Sequence, residues 1–245
     1  GNTNYGTPQN GGAFSYDRFG NAGKCWSASK SQIVKSARNI GISGNVPCSV
    51  SLWFYTELDP VWANGYLLSM GSTQGDGQYG GRMFSPLFCP WNGSTSNFNL
   101  DAYYAGAQFS SNPKKQNGKW SHFVVTYENN IDGIRFYLDG VTYSGTPFVA
   151  PGSFACNWTD SNLWINGTLG QQNGIDGKFD DVRFYNRALT QKEAADLYRS
   201  EVPPFQIIQG TYSWNEAKTD ALARGGRLAV IDTAAKQAFV ESAAN

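Results

Sequence analysis

Few side chains in this sequence have the type and spacing to break a bond. "TELDP" places Glu57 and Asp59 two residues apart. On a strand, that spacing turns two carboxylates to one face. A retaining glycosidase needs such a pair, an acid/base and a nucleophile about 5–5.5 Å apart. Pro60 follows at once and argues for a loop. The single histidine, His122, lies in "WSHFVV" with no serine or cysteine motif beside it, and reads as structural. Asp101 in "FNLDAYY" has no identifiable partner. Cys25, Cys48, Cys89 and Cys156 form no CxxC pair, so zinc is not expected. Four cysteines in a neutral chain fit an oxidising compartment and allow three pairings; buried thiols are the alternative. "CPWNGS" and "CNWTDS" each carry a Trp two residues after a Cys. These matching stretches motivate a Cys89–Cys156 bridge, which would bring Trp91 and Trp158 together.

Binding chemistry is better represented. Sugars stack their apolar CH faces on aromatic rings, and polar side chains read their hydroxyls. Aromatics make up 15% of the chain. Loop-like stretches hold the candidate ligand contacts Trp62, Tyr79, Trp91, Tyr103 and Trp158, with Tyr66 and Tyr104 nearby in sequence. Core filling is the competing role for each of them. Asn92, Asn157 and Asn166 open N-x-S/T sequons, which matter only in a eukaryotic secretory host.

The chain has 245 residues, 16% of them charged, and a formal net charge of zero. That surface has no electrostatic reason to seek nucleic acid or anionic lipid. No apolar run approaches the roughly 20 residues that span a bilayer, so membrane insertion is not expected. The opening "GNTNYGTPQNGG" looks like a mature or trimmed start.

Strands must position these residues. "CSVSLWFYTE" alternates, with Val50, Leu52 and Phe54 on one side and Ser49, Ser51 and Trp53 on the other. "WSHFVVTYE" and "GIRFYLDG" alternate too. Asp-Gly pairs at Asp76, Asp132, Asp139 and Asp176 signal tight hairpins. The Asn-rich stretches 86–99 and 108–119 read as loops. Many short strands with turn signals predict a β-sandwich or barrel. "TQKE" at 190–193 is a capping box that predicts a helix over 191–199, closing one end of the sandwich with Leu189, Ala194 and Leu197 inward. "VPP" at 202–204 is a linker. "SWNE" at 213–216 caps a second helix, "RLAVID" reads as a strand, and 234–243 as another helix.

"FSYDRFGNAGKCW", "SVSLWFYTE", "KWSHFVVTYE", "IRFYLDGV", "LWINGTLG" and "FDDVRFYNRALTQKEAADLY" occur in an order that resembles laminin G-like domains of the concanavalin A-like lectin/glucanase superfamily. The resemblance implies a mainly β fold, a two-sheet antiparallel jelly-roll sandwich over residues 12–201, with a small α+β C-terminal appendage. Residues 205–245 resemble the opening of a C-type lectin-like domain, ending before that family's sugar and calcium segments. The third acidic residue of the glucanase pattern is absent: Trp62 stands in its place. In "KFDDVRFY", alternation puts Asp180 on the same face as Val182 and Phe184. The resemblance places the last strand near "DRFGN". Asp17, backbone carbonyls near Gly20 and Asn21, and Asp180 would then form an oxygen-rich site suited to a structural Ca²⁺. The alternative is that Asp180 satisfies turn amides and Asp17 pairs with a base such as Arg18. The expected function is non-catalytic, extracellular or cell-surface recognition, most of all of a glycan. The second reading is an adhesive or structural component contacting proteins or copies of itself, and the third a glycan-active enzyme.

Overall fold

The computed structural model describes residues 6–57, 65–71, 83–89, 97–101, 106–109, 118–129, 133–148, 160–167, 172–202, 207–223, 226–234, 237 and 240–241. The chain forms two compact units, Gly1–Arg199 and Ser200–Asn245.

The first unit is mainly β, with two antiparallel sheets consistent with a jelly-roll sandwich. One sheet runs β1 (Gly6–Gln9), β4 (Ile33–Asn39), β14 (Asn162–Ile165), β7 (Leu68–Gly71), β8 (Met83–Cys89), β9 (Asn97–Asp101) and β10 (Gly106–Phe109), with β6 (Gly65–Tyr66) also on β8. β13 (Val141–Phe148) joins it to the other sheet, which runs through β12 (Arg135–Leu138), β11 (Lys119–Tyr127), β5 (Cys48–Thr56), β15 (Gly177–Tyr185), β3 (Cys25–Ala28) and β2 (Ala13–Ser15). β8 and β9 occupy part of the stretch expected as an Asn-rich loop. Pro86 made β8 hard to foresee, because proline cannot donate to a ladder. Pro86 pairs with Leu100 of β9, while on the other edge of β8 the β7 pairing reaches Phe84 and the β6 pairing begins at Leu87.

Alternation holds on β5 and both of its faces are buried. Val50, Leu52 and Phe54 join Phe123, Val125, Tyr127, Phe136 and Leu138 in the core between the sheets. Ser49, Ser51 and Trp53 face the other way, paired with Thr126, Val124 and His122 on β11. α1 (Gln191–Glu201) covers that outer face. Leu189 and Ala194 are buried there with Val124 and Tyr137, and Leu197 packs against them. The helix therefore lies on the face of a sheet rather than closing an end. Its capping box forms as expected: Thr190 N–H donates to the Glu193 carboxylate at 2.9 Å, and Glu193 N–H to Thr190 Oγ1 at 3.2 Å. Ser49 fastens the approach to the helix, accepting from Leu189 N–H and donating to the Arg187 carbonyl, both at 2.9 Å.

Asp139-Gly140 turns β12 into β13 with φ of 51° and 76°, the tight hairpin that the dipeptide predicts. Asp176-Gly177 does not make a hairpin. It enters β15, where Gly177 is needed because a Cβ there would stand 2.3 Å from the Tyr55 carbonyl oxygen. Asp76 and Asp132 lie outside the described residues.

In the second unit, α2 (Trp214–Ala223) starts at the Ser213/Glu216 capping box, with Ser213 N–H donating to the Glu216 carboxylate at 2.8 Å. Helical backbone recurs at residues 234, 237, 240 and 241. "RLAVID" is not a strand: residues 227–232 have no regular secondary structure. An apolar six-residue run forms a strand only where a partner supplies the ladder.

Asn166, at the end of β14, is completely buried. Its amide donates to the carbonyls of Ser29, Gln32 and Ile175 at 2.9–3.0 Å and accepts from Ile175 N–H at 2.7 Å. One side chain thus ties the β3–β4 turn to the segment entering β15. Its sequon is structural. Asn166→Ala is expected to lose about 3 kcal/mol by stranding several buried carbonyls, measured by urea unfolding. Glycopeptide mapping of protein secreted from eukaryotic cells should find Asn166 unmodified.

Candidate functional site

Alternation on β14 turns Leu163 and Ile165 toward the core and Trp164 outward. The registers of β1, β4, β14 and β7 set Thr7, Lys35, Trp164 and Ser69 side by side in one cross-strand row on the outer face of their sheet. Cross-strand neighbours on one face touch. The Lys35 ammonium lies 5.1 Å from the centre of the Trp164 ring. Both side chains are half-buried and Thr7 is exposed, whereas Ser69 is buried and donates to the Gly167 carbonyl at 2.9 Å. The row offers a flat apolar ring, a cation and an exposed hydroxyl next to one another. Sequence reasoning passed over Trp164. The available signal was an aromatic residue alternating with Leu163 and Ile165 inside "LWING".

The loop aromatics Trp62, Tyr79, Trp91, Tyr103 and Trp158 lie outside the described residues, as does Asp59. So does the Cys89–Cys156 pairing, because Cys156 and the side chain of Cys89 are not described. Cys25 and Cys48 are buried thiols, which leaves no pairing that includes either of them. Glu57 is exposed and accepts from the Tyr55 hydroxyl at 2.9 Å. His122 is fully buried, with Nε2 2.9 Å from Ser51 Oγ. Burial, aided by Arg183 and Arg18, pushes its pKa down to about 3, so it stays neutral near pH 7. Between the Trp53 ring at 5.0 Å and the Tyr198 ring at 5.9 Å, it is a packing residue beneath α1.

The segment "DRFGN" does lie against "FDD", but the side chain that joins them is Arg18. Its guanidinium donates to Asp180 at 2.5 Å and to Asp181 at 2.6 Å. The guanidinium carbon lies 4.4 Å from the Phe19 ring centre and 4.8 Å from that of Trp53. Arg183 pairs with Asp181 at 3.2 Å. The Asp17 carboxylate turns into its own loop, accepting from Phe19 N–H at 2.9 Å, Asn21 N–H at 2.8 Å and the Asn21 amide at 3.0 Å. Burial opposes ionisation of Asp17, but the hydrogen bonds from Asn21 and Phe19 outweigh it and hold the carboxyl below its ordinary value. Burial, then the charge of Asp181, holds Asp180 above its ordinary value despite Arg18. The expected calcium ligands Asp17, Gly20, Asn21 and Asp180 do not fit a cation in this arrangement. One carboxylate is filled by loop donors and the other faces a guanidinium. Among the described residues no group of three His, Cys, Asp or Glu side chains stands ready for a metal.

Asp180 is also not on the core face. Phe179 is in the core, and Asp180 pairs with outward-facing Trp53. A bulge then sets Asp181 and Val182 opposite Leu52, with Asp181 at φ 46°. The extra residue reverses the alternation and returns Val182 and Phe184 to the inside.

The laminin G-like family of the concanavalin A-like lectin/glucanases superfamily matches residues 29–195. The chain belongs to that superfamily. No curated protein matches it. Among solved structures, domain 4 of AbnA, a GH43 extracellular arabinanase from Geobacillus stearothermophilus in complex with arabinotriose, is similar. Its TM-score is 0.56 at 21% identity, covering 79% of this chain and 87% of that one. The heptameric SAP-like pentraxin of Limulus polyphemus gives 0.51 at 16% identity, covering 68% and 75%. The ligand-binding domain of botulinum neurotoxin serotype D, in complex with N-acetylneuraminic acid, gives 0.54 at 13% identity. It covers 80% of this chain and 46% of that one. At these identities the likeness is one of fold.

With Arg18 as the counter-charge, chelation is expected to leave the melting temperature unchanged. Arg18→Met should cost about 3 kcal/mol, because it leaves two carboxylates facing each other at a part-buried site. Thermal melts with and without EDTA, and urea unfolding of the variant, measure both. A fall in melting temperature in EDTA that calcium restores would reverse the assignment.

Proposed function

We propose that this protein is a non-catalytic glycan-recognition module of the extracellular space or cell surface. It holds its ligand on the outer face of the β1-β4-β14-β7 sheet. The observation that carries the reading is the row Thr7–Lys35–Trp164, a stacking ring flanked by a cation and a hydroxyl. A sugar ring stacked on Trp164 would receive hydrogen bonds from Lys35 and Thr7. Trp62, Tyr79, Trp91, Tyr103 and Trp158 are proposed as further stacking groups. Two neighbours in fold are described with sugars, arabinotriose in one and N-acetylneuraminic acid in the other. Lys35 gives an acidic sugar an added charge contact. Against catalysis, the only histidine is sealed in the interior and exposed Glu57 is engaged by Tyr55. Among the described residues no helix is long and apolar enough to cross a membrane.

The test is titration with arabinotriose and with N-acetylneuraminic acid, followed by a glycan array. Trp164→Ala is expected to weaken binding by about 2 kcal/mol, some thirtyfold, with the fold intact. Lys35→Gln should weaken the acidic sugar more than the neutral one. Binding that is unaffected by Trp164→Ala would remove the site.

A second reading, adhesion through the C-terminal segment, rests on one observation. α2 buries none of its residues, and Trp214, Leu222, Val230 and Ile231 are all exposed. Singly exposed apolar residues are ordinary, but this many in so short a segment suggest an interaction surface. The segment is proposed as the start of a C-type lectin-like domain. Trp214→Ser/Leu222→Ser should abolish self-association in analytical ultracentrifugation. A chain that is monomeric at all concentrations before mutation would refute the reading.

A further inference from the structure

A second site lies inside the sandwich, on the opposite side of β14 from Trp164. It is a cleft of about 510 Å³ between the sheets. Its walls are Val34, Ile40, Leu163 and Ile165 from the β4–β14 side, and Val182 and Phe184 from β15. The strand pairings explain why it exists. β3 pairs with β15 only through Phe179, so from Val182 onward β15 pairs only with β5 among the described strands. On the facing sheet, β1 pairs with β4 only over residues 33–36. Both sheets thin at one corner, and the bulge in β15 turns Val182 and Phe184 into the opening.

We infer that this cleft binds a long-chain carboxylate, with the hydrocarbon chain held between the sheets and the carboxylate at Arg38. Protein interiors seldom leave voids much larger than a water molecule, and this volume is in the range of ligand pockets. The cleft suits an amphiphile, because Val34, Ile40, Leu163, Ile165, Val182 and Phe184 give it an apolar part and Arg38 and Asn39 a polar one. Of its polar wall residues, exposed Arg38 and Asn39 stand together on β4, and the buried Ser36 hydroxyl is already used, donating to the Arg38 carbonyl at 2.7 Å and accepting from Leu163 N–H at 2.8 Å. Away from Arg38 and Asn39, water or a sugar would find few side-chain partners on the wall. The head group follows from charge. Arg38 is the charged residue among those lining the cleft, which it reaches beside Asn39 and Ile40 where the β4–β14 register is irregular. Its end of the strand is exposed, so an anionic head would sit beside a guanidinium at the mouth while the chain runs inward.

Calorimetric titration with dodecanoate, below its micelle concentration, is the test, with dodecyltrimethylammonium as a chain of equal length and opposite head charge. The expected result is saturable binding of one dodecanoate per chain, with the cationic amphiphile much weaker. Arg38→Gln should weaken dodecanoate about tenfold. Val182→Trp should fill the cleft and abolish binding while circular dichroism stays unchanged. If that variant does not fold, Ile40→Trp at the mouth serves the same purpose. No saturable binding to the unmodified protein would overturn the inference. So would equal binding of the cation, or binding that survives both the folded blocking variant and Arg38→Gln.

Discussion

The corner of the sandwich is organised around one guanidinium. Arg18 lies between the Phe19 and Trp53 rings and is shared by Asp180 and Asp181. A part-buried carboxylate is costly unless a counter-charge and hydrogen bonds accompany it. Two adjacent carboxylates are costlier still: burial first, and then the charge of Asp181, holds Asp180 above its ordinary value. The planar, forked guanidinium of Arg18 serves both at once. For both to face Arg18, consecutive residues must turn to one side of a strand, and regular alternation forbids that. The bulge at Asp181 resolves the conflict, and its left-handed φ of 46° is one that aspartate tolerates better than most residues. The bulge also redirects the rest of β15, so the electrostatic pairing on the outer face determines which residues line the inner one.

Within the sheet that carries this corner, β5 is buried on both faces. Its aliphatic and aromatic residues fill the core, and its serines and Trp53 meet α1. Small hydroxyl residues suit that second face. Ser51 meets His122 Nε2, and Ser49 bonds the chain entering α1. His122 is held neutral by the same burial, so it can lie between Trp53 and Tyr198 without a counter-ion. The helix is therefore part of the domain, and its capping box fixes where it begins.

Much of this was legible in the residues. The alternation of β5, β11 and β12, the Asp139-Gly140 turn and both capping boxes could be read directly, because each depends on neighbours within a few positions. What failed depended on distant partners. Alternation through 178–185 assumed an unbroken strand, and the bulge that breaks it is stabilised by an arginine more than 160 residues away. "RLAVID" has strand composition but no partner strand among the described residues. Asn166 looked like a sequon because nothing local reveals that Ser29, Gln32 and Ile175 converge on it. Trp164 was missed because its meaning lies in its cross-strand neighbours Lys35 and Ser69, which only the register brings beside it. The loop aromatics chosen instead followed composition, which does not encode register.

β14 shows how little sequence is needed to separate two chemistries. Three consecutive residues, Leu163, Trp164 and Ile165, point in, out and in. The inward pair lines the apolar part of the cleft, and the outward ring has a cation and a hydroxyl beside it. A one-residue slip of β14 against β4 would turn the Trp into the sandwich and the aliphatic residues to the surface. That slip is resisted at both ends of the strand. Asn162 donates to the Ser36 carbonyl at 2.9 Å at one end, and the Asn166 amide is held by three carbonyls at the other. The register shift between Asn162 and Trp164 is absorbed within these two anchors. The buried asparagine that forms no part of either surface thus holds Trp164 on the outside and Leu163 and Ile165 on the inside.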